Sequence, residues 1–178
     1  MVLGDSLSAE YGLRRGSGWV ALMGERLTAM RPPWRIVNAS ISGETSAGGR
    51  SRLAELLQRH RPSIVVIELG GNDALRGLDL AALDDNLSTM TRMSRKAGAQ
   101  VLLLGMMMPP NYGRAYADAF NAVFQRVAER EKALLVPFFL EGVADRLDMF
   151  QADRIHPTET AQRRMLDNVW PALKPLLR

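Results

Sequence analysis

The chain has no cysteine among its 178 residues. It therefore forms no disulfide, offers no thiolate nucleophile and builds no cysteine-based metal site. Histidine is almost as scarce, with His60 and His156 the only two. Aromatic residues make up 6% of the chain, and none interleaves with the basic groups Arg14-Arg15, Arg59-His60-Arg61 or Arg92 to Lys96. A single-stranded nucleic-acid platform needs that interleaving, so no nucleic-acid partner is expected. No apolar run approaches the roughly 20 residues of a membrane-spanning helix, and stable membrane insertion is not expected either. No charged n-region, apolar h-region or cleavage site precedes the first apolar residues, so the sequence is expected to carry no signal peptide.

What is there reads as one ordinary globular domain over 1–178. Hydrophobic residues at 47% and charged residues at 24% suit a chain long enough to bury a proper core. The net charge of +4 is spread over a solvated surface and allows a mild attraction for CoA or phospholipid head groups. Strand and helix signals alternate throughout. Val2-Leu3, Trp34 to Ala39, Ile64 to Leu69, Val101 to Met106 and Leu134 to Phe139 read as strands. Ile64 to Leu69 is a near-continuous branched apolar run, the mark of a strand buried on both faces. Apolar residues at helical spacing mark helices over Gly18 to Met30, around Leu53 to Leu57, over Leu80 to Ala97 with Gly98 ending it, and over Tyr116 to Val127. A last helix from Ala161 to Leu173 is expected to bend or break near Pro171. The alternation predicts a three-layer α/β/α domain around a parallel sheet of about five strands. Residues 16–21 match G-x-G-x-x-A, but no strand precedes them, so the match is chance.

Two short stretches at opposite ends of the chain carry the chemistry. Gly4-Asp5-Ser6 follows the first strand, where an α/β protein places a nucleophile in the crevice above its sheet. Taken alone it reads equally well as a polar turn. Asp153-Arg154-Ile155-His156-Pro157 supplies an acid three residues before a histidine, the types needed to deprotonate a serine and fix the base's tautomer. The competing His60 sits at a helix end, where the helix dipole favours it, and reads as structural. Gly70-Gly71-Asn72-Asp73 follows the strongest strand. Asn72 is either a turn residue or an amide donor beside Ser6, and Asp73 is expected to brace the loop. Gly43, in the loop 40–46, either shapes a turn or lets a backbone N–H approach a ligand.

Gly-Asp-Ser-Leu, Gly-Gly-Asn-Asp and Asp-x-x-His, in that order and spacing, resemble the GDSL, or SGNH, hydrolases. Asn38 to Ser46, Glu68 to Asp73 and Pro110-Asn111-Tyr112-Gly113 look more closely like the bacterial multifunctional thioesterase, arylesterase and lysophospholipase group. The resemblance runs over nearly the whole chain. It implies a flavodoxin-like strand order and a serine hydrolase of carboxylic esters and thioesters with short to medium acyl chains. By that likeness the catalytic residues are Ser6, Asp153 and His156, and the oxyanion hole is Ser6, Gly43 and Asn72. Substrate contacts are expected from Asp5, Leu7, Met107, Pro109 and Tyr112, with no metal and no cofactor, and the oligomeric state stays open. The likeness also implies a periplasmic or secreted location and a sequence that starts late. The chain departs from the pattern at Glu10 and at Met106 to Met108, either of which would reshape the acyl pocket. A carbohydrate O-deacetylase of the same superfamily and a non-catalytic flavodoxin-like binding domain are the rival readings.

Overall fold

The computed structural model describes residues 1–108 and 112–177. The chain opens in strand β1 (Val2–Gly4) and crosses through helix α1 (Trp19–Thr28). It runs back alongside β1 near Asn38 and enters helix α2 (Ser46–His60). Strand β2 (Ile64–Glu68), the short helix α3 (Gly71–Leu75) and helix α4 (Leu80–Lys96) follow. Then come strand β3 (Gln100–Leu104), helix α5 (Arg114–Glu131), strand β4 (Leu134–Val136) and helix α6 (Gln162–Leu173). The strands pair in parallel in the order β1-β2-β3-β4.

The alternation of side chains across each strand builds two cores. Leu3, Val65, Ile67, Val101 and Leu103 face one side and meet Leu53 of α2, Leu87 of α4 and Phe120 and Phe124 of α5. Val2, Ile64, Val66, Leu102 and Leu104 face the other and meet Trp19 and Met23 of α1 and Met165 and Val169 of α6. A sheet clad on both faces is the three-layer arrangement that the branched apolar run of β2 anticipates.

Helix ends follow local chemistry. Thr45 caps α2 by accepting the N–H of Gly48 at 3.2 Å, and Asp79 caps α4 by accepting the N–H of Ala81 at 2.9 Å. Helix α6 continues through Pro171 to Leu173 instead of breaking there.

The sheet holds four strands where the sequence predicts about five. The segment expected as a strand over Trp34 to Ala39 touches β1 through a single parallel bridge, Val2 to Asn38. It still runs beside β1, with the Val2 N–H on the Val37 carbonyl, the Ala39 N–H on the Val2 carbonyl and the Ile41 N–H on the Gly4 carbonyl at 2.8–3.0 Å. The pairing goes no further than this one bridge, whereas β1 pairs with β2 along its whole length. Counted by position, the segment places β1 between itself and β2, which is the strand-order reversal of a flavodoxin-like sheet. The crevice of such a sheet opens at the carboxyl ends of the strands flanking that reversal. Ser6 follows β1 there and Asn72 follows β2.

Candidate active site

After Gly4 the chain winds into a tight turn, with the N–H groups of Ser8 and Ala9 on the Asp5 carbonyl and that of Tyr11 on the Ser6 carbonyl. This leaves Ser6 half-buried at the mouth of the crevice. The opposing loop is closed by an antiparallel bridge between Phe150 and Pro157 and by the Gln151 N–H on the His156 carbonyl at 2.8 Å. Arg154 takes a left-handed conformation (φ 58°) at its tip. That turn puts Asp153 beneath the following residues: its Oδ1 accepts the N–H groups of Ile155 at 2.9 Å and His156 at 3.0 Å. Its Oδ2 lies 2.6 Å from His156 Nδ1, and His156 Nε2 lies 2.9 Å from Ser6 Oγ.

The charge state of this line follows from its donors. The His156 backbone N–H first, then the imidazole contact and the Ile155 N–H, hold the exposed Asp153 carboxyl down to about 2. An ionised Asp153 only accepts, so Nδ1 carries the ring proton and Nε2 is left to accept from the Ser6 hydroxyl.

Two residues that sequence reasoning passed over complete this side. The Tyr11 ring packs on the His156 imidazole at 4.3 Å between centroids. Gln151 Nε2 donates to the Tyr11 carbonyl at 2.9 Å and the Pro157 carbonyl at 3.2 Å, pinning the histidine loop to the serine turn. Neither lies in a motif, and only the fold brings residue 11 to residue 151.

Gly43 sits in a turn closed by the Glu44 N–H on the Ile41 carbonyl, with φ 78°. A side chain there would be strained, which accounts for the glycine. Arg76 Nη2 donates to the Gly43 carbonyl at 2.9 Å and fixes that peptide. Asn72 Nδ2 donates to Asp5 Oδ2 and to the Glu44 carbonyl, each at 3.0 Å. The amide thus joins the neighbour of Ser6 to the neighbour of Gly43. Among the described residues, the backbone N–H groups of Ser6 and Gly43 meet no acceptor.

The remaining expected residues fall elsewhere. Asp5 is only 3% exposed and its carboxylate is engaged by Leu7 and Asn72, so it supports the site from below and does not face a substrate. Leu7 is half-buried against the α1–α6 core. Met107, expected in the acyl pocket, lines a depression with Asn121, Leu135 and Pro137, away from Ser6. Its neighbours Met106 and Met108 pack into the core, while Met107 itself is exposed. Tyr112 is exposed, and Pro109 lies outside the described residues.

Glu10 does not enter a pocket either: its carboxylate accepts the N–H groups of Gly16 and Gly18. Asp73 braces the loop as expected, accepting the Ser46 N–H at 2.9 Å and hydroxyl at 2.5 Å. His60 ends α2 at the rim of a cavity of about 240 Å³, at the amino-terminal edge of the sheet. Among the described residues no three His, Asp or Glu side chains cluster to hold a metal, and no helix is long and apolar enough to cross a membrane.

Residues 2–164 match the GDSL-like lipase/acylhydrolase family. The chain is 56% identical over 177 residues to the esterase TesA of Pseudomonas aeruginosa, covering 99% of this chain and 88% of that protein. It is 39% identical to thioesterase 1/protease 1/lysophospholipase L1 of Escherichia coli K12, covering 99% and 84% respectively. A crystal structure of the psychrotrophic esterase EstA from Pseudoalteromonas, inhibited by monoethylphosphonate, superimposes with a TM-score of 0.93 at 39% identity, over 99% of this chain and 96% of that one.

Proposed function

The chain belongs to the GDSL-like lipase/acylhydrolase family, and from that premise we propose that Ser6, His156 and Asp153 carry out its ester and thioester hydrolysis. The protein is an enzyme of the carboxylic ester hydrolase class. The observation that carries the residue assignment is the unbroken line from Asp153 Oδ2 through His156 to Ser6 Oγ, with contacts of 2.6 and 2.9 Å.

Ser6 Oγ attacks the acyl carbonyl carbon while His156 Nε2 takes the hydroxyl proton. Asp153 accepts from Nδ1–H and stabilises the imidazolium that forms. The C=O electron pair moves onto the carbonyl oxygen, which meets the N–H groups of Ser6 and Gly43 and the Asn72 amide. Collapse expels the alcohol or thiol, which takes the proton from His156 and leaves an acyl-Ser6 ester. Water, deprotonated by the same histidine, then attacks that ester and releases the carboxylic acid and a free Ser6.

Both Asn72 N–H bonds are occupied in the free protein. The one on the Asp5 carboxylate is charge-assisted and stays. The one on the neutral Glu44 carbonyl turns to the oxyanion. The substrate class we propose is esters and thioesters of short to medium acyl chains, because the triad is indifferent to whether oxygen or sulfur leaves.

The test is a chain-length series of p-nitrophenyl esters and acyl-CoAs on wild type and Ser6→Ala, with fluorophosphonate labelling followed by peptide mapping. Turnover is expected to vanish in Ser6→Ala and the label to sit on Ser6. Near wild-type turnover in the variant, or label on another serine, would overturn the assignment.

A further inference from the structure

Beneath the nucleophile lie two carboxyl groups that take no part in the proton transfers above. Glu68 ends β2 with 0% exposure, and Asp5 is 3% exposed beside it. Glu68 Oε2 accepts the Asp5 N–H at 3.2 Å and the Ser8 hydroxyl at 2.7 Å. Ser8 Oγ is itself an acceptor for the Trp19 indole N–H at 3.3 Å, so its own proton is committed to Glu68. Glu68 Oε1, by contrast, is buried and meets no donor. The Asp5 N–H on Glu68 Oε2 brings the two acidic residues side by side in the interior. Neither forms an ion pair among the described residues.

Two bare carboxylates side by side in a dry interior repel, and a single shared proton removes the conflict. Its position follows from the donors. Asp5 receives the Leu7 N–H on Oδ1 and the Asn72 amide on Oδ2, both at 3.0 Å, so it is the better place for the charge. Glu68 Oε1 has no donor facing it and is the natural place for a proton.

We propose that Glu68 is protonated and shares that proton with Asp5, and that this acid–carboxylate pair positions the oxyanion donors. Asp5 anchors one N–H of the Asn72 amide, leaving the other to reach the oxyanion. The Asp5 and Leu7 N–H bonds flank Ser6 and set the direction of its own N–H. Glu68 and Asp5 are positioning residues, since neither touches substrate. Burial first, then the Asp5 charge, push the Glu68 carboxyl well above its ordinary range. Burial lifts Asp5 only to about 6, because Leu7, Glu68, the His156 charge and Asn72 favour its ionised form. The inference rests on the proposed oxyanion role of Asn72.

The experiment combines kinetics on p-nitrophenyl acetate with infrared spectroscopy of the purified protein near neutral pH. Glu68→Leu is expected to lower kcat with little change in KM, and Glu68→Gln to recover most of that loss, because the Gln amide donates to Asp5 as the acid did. Asp5→Asn is expected to lower kcat about 10- to 100-fold, the range for losing a hydrogen bond to a charged group. Asp5→Asn combined with Asn72→Ala is expected to be about as slow as Asn72→Ala alone, since Asp5 acts through that amide. A protonated-carboxyl C=O band should be present in wild type and missing from Glu68→Gln. Absence of that band, failure of Gln to rescue, or additive losses in the double variant would overturn the proposal. Unchanged kcat in Asn72→Ala would instead sink the oxyanion reading, and the infrared band would still decide where the proton sits.

Discussion

At the scale of single residues, the strength of the site lies in how each group's partners leave it one remaining option. Asp153 has both backbone N–H groups on Oδ1, so Oδ2 is committed to the imidazole. Asp153→Asn keeps the shape but favours the wrong tautomer, and a fall in kcat on the order of 10⁴ is expected from steady-state assays. A loss below tenfold would mean that backbone contacts, not the acid, orient His156. Asn72→Ala is expected to cost ~10² to 10³ in kcat, the range for an oxyanion donor. Melting temperature taken on the same sample separates this from scaffold loss, which would lower stability and leave kcat alone. Tyr11 lies over the imidazole face. Tyr11→Ala should lower kcat/KM by roughly 2- to 10-fold through lost ring packing while Tyr11→Phe retains it; equal losses in both would point to the hydroxyl instead.

At the scale of elements, the ends of β1 and β2 explain the first glycine of the Gly-Asp-Ser stretch. Gly4 pairs with Glu68, and a Cβ on it would come within 2.7 Å of both Glu68 Oε2 and Ser8 Oγ. Those atoms belong to a buried network with no slack, so Gly4→Ala is expected to cost about 1–3 kcal/mol, as overpacking does. Urea unfolding would check this, and an unchanged midpoint would show that the network yields. The longer helices were legible in the sequence from their apolar spacing, while the capping by Thr45 on α2 and Asp79 on α4 came only with the structure. The short helix α3 was not, because Gly70-Gly71-Asn72-Asp73 carries turn residues; within it Asp73 holds Ser46 at the start of α2. The expected outer strand at residues 34–39 meets β1 through a single bridge and forms no ladder.

At the scale of the whole molecule, the buried carboxyl pair and the exposed acid pull stability in opposite directions with pH. Asp153, depressed to about 2 from 3.8, contributes stability above about pH 4 that is lost as pH falls towards 2. Glu68 and Asp5 are raised, from 4.5 and 3.8, so the unfolded chain releases their protons before the folded one does. Their contribution is full at low pH and declines as pH rises, between about 4 and about 6 for Asp5 and from about 4.5 upward for Glu68. The melting temperature of Glu68→Gln relative to wild type is therefore expected to climb between about pH 5 and pH 7, because Gln has no proton to lose. A flat difference across that range would show that Glu68 ionises normally. The sequence by itself determined the layer architecture, through the branched apolar run of Ile64–Glu68 and the alternation around it. It also pointed to Ser6, Asp153 and His156 through the scarcity of histidine and the resemblance to the GDSL hydrolases, whereas the residues alone left Asn72 open between turn and amide donor. Only the tertiary structure decided that Asp5 faces inward onto Glu68, that Met107 points away from the crevice, and that Tyr11 and Gln151 meet at His156. Those outcomes depend on which strands and loops are neighbours, and that proximity is set by packing over separations of 60 to 150 residues, beyond the reach of any local periodicity.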